Sequence, residues 1–168
     1  GEPQSRFAAP PFLLSLLFGA ERAEPLVVFF FTILGMEGTY RWVRLRVNDA
    51  TAALRIAPIF ALSGHFAVSW FRGWTNFFGF ELVPWILLGI TLTARGRTGG
   101  ILVGAIAFAV MIGFGGTFAA PIVAVAATIE AVRSILEQPP FRRRRAIVML
   151  AALASFMLAV AAVRLLPL

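Results

Sequence analysis

The chain contains no cysteine and no lysine, and its single histidine and single aspartate are His65 and Asp49. The lack of cysteine excludes disulfides, thiolate nucleophiles and thiolate-held metals. One histidine and few carboxylates also cannot close a protein-only metal site, which takes about three or four ligands, so no metal is expected. Also missing are a phosphate-binding glycine loop, a nucleophile elbow, a zinc helix and a kinase signature. The run Gly113-Phe-Gly-Gly-Thr117 follows no strand and reads as a turn, not a nucleotide site. The most telling absence is charge: from Thr98 to Ile129 there is no ionisable group. Such a stretch on a soluble surface would aggregate, whereas a bilayer core about 30 Å thick demands it.

Hydrophobic residues make up 60% of the 168 positions, against roughly 45–50% in soluble domains. The expected fold is therefore all-α, a polytopic integral membrane helical bundle of about six transmembrane helices with short loops. The net charge of +7 does not point to nucleic acid. All fifteen basic residues are arginine, and nine of them cluster between apolar runs as Arg41, Arg44 and Arg46, then Arg95 and Arg97, then Arg142, Arg143, Arg144 and Arg145. Clusters in those places satisfy the positive-inside rule and serve as cytoplasmic anchors on lipid phosphate, which Arg grips in a bidentate manner. The expected partners are a bilayer with anionic headgroups and other integral membrane subunits, in a bacterial inner membrane.

Residues 1–24 read as an N-terminal interfacial or partly inserted segment. Its apolar part, Phe7 to Ala20, is too short to cross and carries Pro10 and Pro11. Its length is that of a signal-peptide core, yet no basic leader precedes it beyond Arg6. Opening on Gly1 rather than Met, the chain reads as a processed product or part of a longer one. Residues 25–168 form the expected bundle. Span 1 covers Pro25 to Val43, with Pro25 in its first turn and Tyr40 and Trp42 as an interfacial belt. Span 2 covers Ala50 to Phe71, and span 3 covers Asn76 to Ala94 with Pro84 internal, the two forming an antiparallel hairpin. As one helix, Thr98 to Arg133 would run about 54 Å, too long for a span. It divides at Gly113 to Gly116 into Thr98–Phe114 and Thr117–Arg133, with a re-entrant pair of half-helices as the alternative. Span 6 covers Ala146 to Leu166. Paired crossings between clusters put eleven of the fifteen arginines on one side and the C terminus outside.

Small residues recur at spacing four in the later helices: Gly100 and Gly104; Ala105, Ala109 and Gly113; Ala120 and Ala124; Ala151, Ser155 and Ala159. Such faces let helix backbones approach closely, and contacts within the chain are expected. Ionisable groups inside spans mark candidate sites. Arg55 and Arg164 lie near span ends and snorkel. His65 and Glu81 sit at matching depths on spans 2 and 3, about 8 Å below the outer surface by helix rise, and form the candidate functional polar pair. Such a pair fixes hairpin register as a polar clasp or, alternatively, relays protons in a small transporter. His65 alone is a possible axial ligand of a pigment or haem, although no cofactor is expected.

The run Trp70 to Phe80, W-F-R-G-W-T-N-F-F-G-F, places Gly73, Asn76, Phe77 and Gly79 before an apolar helix with an Arg-bearing turn after it. Over residues 55–166 this resembles the later helices of GT-C-type polytopic glycosyltransferases. The resemblance implies a membrane domain acting on lipid-linked substrates, with His65, Glu81 and the outer-loop candidates Arg72 and Asn76 lining a cleft. Those enzymes carry catalytic acids on a long outer loop, which this chain lacks. No complete catalytic set is present, so no catalytic residue is assigned. The leading expectation is an integral membrane subunit with a structural or assembly role, packing against a larger membrane complex.

Overall fold

A computed structural model describes residues 15–63, 66, 68, 79–114 and 119–165. Among these residues the chain is all-α. Six helices can be bounded among them: α1 (Ala20–Val47), α2 (Ala50–Ala61), α3 (Val83–Ala94), α4 (Gly99–Gly113), α5 (Ala120–Leu136) and α6 (Pro140–Leu165), with a 3-10 turn at Phe80–Leu82 leading into α3. Two helical stretches, Glu21–Val47 and Pro140–Ala162, are long and apolar enough to cross a membrane. The other four helices have 12 to 17 residues, short of the roughly 20 a full crossing takes.

Helix boundaries differ from the sequence reading where proline was misplaced. Pro25 lies inside α1, which starts at Ala20 and, at 28 residues, is about 42 Å long. Pro84 is not internal to a span but stands in the first turn of α3, where a missing N–H costs nothing. Pro140 opens α6. As a result Arg142 to Arg145 are helical, and the linker before them shrinks to Glu137–Pro139. The expected second span stops at Ala61, where the Leu62 N–H turns back to the Pro58 carbonyl at 2.8 Å. Most of the residues between it and Gly79 lie outside the described set.

Helices α1 and α2 form a tight hairpin. Asn48 takes the left-handed conformation at φ 56°, which Asn tolerates better than most side chains. Asp49 then caps α2, its carboxylate accepting from the Thr51 and Ala52 amides at 2.8 and 3.2 Å. Ala53, Ala57 and Ala61 are buried on one face of α2, and α2 packs on α1 rather than pairing with α3.

Helix α3 is the centre of the bundle. Ten of its twelve residues are buried, and it touches α1, α4, α5 and α6. A helix apolar on every side belongs in such a place. Its crossing with α4 is made by glycine. A Cβ at Gly89 would lie 2.5 Å from the Gly104 Cα, and one at Gly100 would lie 2.6 Å from the Thr93 amide nitrogen. The Gly100 and Gly104 pair is thus an internal packing face. On the α1 side, the Trp85 indole covers Gly38, where a Cβ would approach it to 2.6 Å, and donates to the Leu34 carbonyl at 2.8 Å. Phe31 and Phe114 meet edge to face at 4.6 Å in the same core.

Candidate functional site

The three arginine clusters meet at one end of the bundle, but mostly on helices rather than in loops. Arg41, Arg44 and Arg46 occupy the last turns of α1, which continues to Val47. Arg95 and Arg97 flank Gly96 in the α3–α4 turn, where φ is +82°. Arg142 to Arg145 fall in the first turns of α6. The Arg95 guanidinium donates to the Leu45 carbonyl at 3.0 Å, crossing to the end of α1. From α6, Arg145 reaches Gly96, within 3.9 Å of where a Cβ would stand.

These arginines are not equivalent. Arg143 reaches across the linker to the Gln138 and Leu136 carbonyls at 3.1 and 3.3 Å, closing the end of α5. Arg142 and Arg145 line a cavity of about 230 Å³ together with Arg95 and Gln138. Arg97 and Arg144 are exposed. Basic side chains at the C-terminal end of α1 favour the helix dipole, whereas the four at the start of α6 oppose it, and that first turn holds no acid. This end of the molecule is therefore electrostatically suited to anions.

Arg46 departs from its expected role as a lipid-phosphate anchor. Its side chain is only 6% exposed and points inward to Glu130 and Glu137, with both of which it forms ion pairs. It also donates to the Ser134 hydroxyl at 2.6 Å, while its Nε is buried without a hydrogen-bond partner. Glu130, itself 5% exposed, gathers donors from three helices on one carboxylate oxygen. Thr91 Oγ1 of α3 lies 2.5 Å away, Ser134 Oγ of α5 3.3 Å, and Trp42 Nε1 of α1 3.4 Å. The Thr91 hydroxyl is also 2.9 Å from the Leu87 carbonyl, so its one hydrogen is divided between two acceptors. Trp42, expected in an interfacial belt, is thus committed to this interior contact.

Glu137 caps the end of α5 and meets both Arg46 and Arg133. Burial pushes its carboxyl upward, and the Arg46 charge with the Arg133 and Arg46 hydrogen bonds outweighs this, leaving the group below its ordinary value. The sequence reading ends span 5 at Arg133 and gives Glu130 and Glu137 no role, so it does not contain this network. The signal was present: Glu130, Arg133, Ser134 and Glu137 follow helical spacing and mark one polar face.

Of the other candidates, His65, Arg72 and Asn76 lie outside the described residues. Glu81 is buried at 2% exposure, in the 3-10 turn rather than within a span. Its carboxylate accepts from the Gly79 amide at 3.0 Å. Glu81 also packs under α1, where a Cβ on Gly35 would come within 3.2 Å of it. Among the described residues no cluster of three His, Asp or Glu side chains is placed to hold a metal ion. The geometry defines a helical bundle with an arginine-lined end and a buried ion-pair clasp beneath it. No protein family, curated protein or solved structure matches the chain.

Proposed function

We propose that the chain is an integral membrane bundle with a structural role, packing against other membrane subunits of a larger complex. In this reading the six described helices lie in a bacterial inner membrane. The arginine end meets the cytoplasmic leaflet, and the C terminus is outside. Two helices of crossing length and apolarity support the membrane address, as does the gathering of arginines at one end, which the positive-inside rule favours. The shorter helices α2 to α5 need not each span alone, because non-helical backbone at membrane depth is tolerated where it is buried in protein.

The observation that carries the structural role is the outward face of α6. Only 22% of its most apolar stretch is buried in the bundle. The small residues Ala151, Ser155 and Ala159, expected to pack inside the chain, are all exposed on it, beside exposed Val148, Phe156 and Leu158. A small-residue stripe on a lipid-facing helix is the kind of surface on which membrane helices associate. The buried polar groups favour the same reading. Glu130 draws donors from three helices, as suits a clasp holding them together.

Purification in mild detergent followed by native mass spectrometry tests the proposal. The chain is expected to travel with a second membrane polypeptide. Widening the stripe with Ala151→Leu and Ala159→Leu is expected to release that partner while leaving the chain's own melting temperature unchanged. A wild-type chain recovered alone, as a monomer, overturns the structural role.

A further inference from the structure

One face of α1 carries two kinds of chemistry in succession. Val27, Phe31, Leu34, Gly38, Arg41 and Leu45 follow one another at helical spacing of three and four. Along the first part of this stripe, α1, α3 and α4 enclose an apolar groove of about 690 Å³, walled by Phe30, Phe31, Trp85, Leu102 and Ile106. Along the last part lies a pocket of about 680 Å³ lined by Glu37, Tyr40, Arg41, Arg44, Asn48 and Arg95. The Trp85 ring joins the two, since it walls the groove and carries the Arg41 guanidinium 5.7 Å from its centroid.

Charge in the pocket is unbalanced. Glu37 holds Arg41 at 2.5 Å, and Arg46, at the pocket's inner wall, is committed to Glu130 and Glu137. Arg44 and Arg95 approach from two different elements, and among the described residues neither has a carboxylate partner. Arg44 instead rests on Tyr40, donating to its hydroxyl at 3.1 Å. Two uncompensated guanidiniums facing one space suit a phosphate, which each can grip through paired N–H donors. The groove below demands hydrocarbon. By helix rise, Arg44 to Val27 spans about 25 Å, close to one leaflet with its headgroup layer, roughly 20–22 Å.

We propose that this track binds one anionic glycerophospholipid, its phosphate between Arg44 and Arg95 and an acyl chain along Phe30, Phe31 and Trp85. The inference rests on the membrane reading above. The unbalanced pocket selects against a headgroup carrying its own cation, and the groove gives the acyl chain a seat that a soluble anion would leave empty.

Native mass spectrometry of the delipidated protein, with phosphatidylglycerol and phosphatidylcholine of identical chains added in separate arms and inorganic phosphate in a third, tests it. Phosphatidylglycerol is expected to be retained at least roughly tenfold more tightly than phosphatidylcholine. Arg44→Gln with Arg95→Gln removes that preference, whereas Arg144→Gln, which lines neither cavity, keeps it. Ile106→Trp, at an exposed position on the groove wall, fills the groove and lowers retention of both lipids. Equal retention of the two lipids by the wild-type protein, which needs no variant to fold, overturns the inference. So does inorganic phosphate competing as well as the lipid, or groove filling without effect. Alkaline carbonate extraction separates the premise from the inference. Release of the chain into the soluble fraction refutes the membrane reading, while a retained chain without phosphatidylglycerol preference refutes the lipid site alone.

Discussion

Arg46 shows how a residue's neighbours overrule its sequence context. Three residues from Val43 and two from Arg44, it has the pattern of a headgroup anchor, yet it is turned inward by two carboxylates, one on α5 and one at its end. Nothing local distinguishes it from Arg44. The difference lies 84 residues away in Glu130, a distance no periodicity reports. Breaking a buried pair leaves the other charge stranded, at a cost of about 3–5 kcal/mol. Arg46→Met is expected to destabilise by that order, read as a fall in melting temperature in detergent. Adding Glu130→Leu recovers part of the loss, so the double variant loses less than the sum of the singles. Additive losses would dismiss the clasp. Glu137 gives the same network a pH dependence. Because its folded value is depressed, its contribution is complete above the ordinary glutamate value and is lost as pH falls through the lower folded one. Melting temperatures measured from neutral to acid pH should therefore drop more steeply in the wild type than in Glu137→Gln. Parallel curves would contradict this.

At the scale of elements, contact partners were harder to read than helices. The break at Gly113 was legible in the glycine run, and α4 and α5 do end and begin on either side of it. Their partners were not, because an α-helix apolar all round gives no sign of which face meets what. Spacing supplied one real face, Gly100 and Gly104, and misjudged another, Ala151 to Ala159, which looks alike but is exposed. It also passed over Ala53, Ala57 and Ala61, the face that seats α2 on α1. What separates the glycine face is its partner, Gly89, and the resulting near contact of two backbones. Gly100→Ala must push a methyl against the Thr93 amide at 2.6 Å, and overpacking of this kind costs about 1–3 kcal/mol. Gly99 has open space around it, so Gly99→Ala should melt within about 0.5 kcal/mol of wild type, as surface changes do. Similar melting of both variants would mean that α3 and α4 do not cross through these glycines.

For the molecule as a whole, charge was the most informative sequence feature, since it brought three separated arginine clusters to one end before any contact was known. That reasoning stops short of His65, Arg72 and Asn76, which lie outside the described residues. It also could not show that four helices would be shorter than a full crossing. Sidedness is nevertheless open to direct measurement, because the chain has no cysteine of its own. Single cysteines at Arg97 and Arg144, both exposed at the arginine end, should react with a membrane-impermeant maleimide from the cytoplasmic side only. A cysteine at Ser15, before α1, and one at Ala162, near the far end of α6, should react only from the opposite side, because both helices run away from the arginines. In sealed right-side-out vesicles the first two stay unlabelled until lysis and the last two label at once. If Arg97→Cys and Arg144→Cys report opposite sides, the common end is wrong and the lipid site built on it goes with it. Uniform labelling of all four before lysis would instead remove the bilayer from between them.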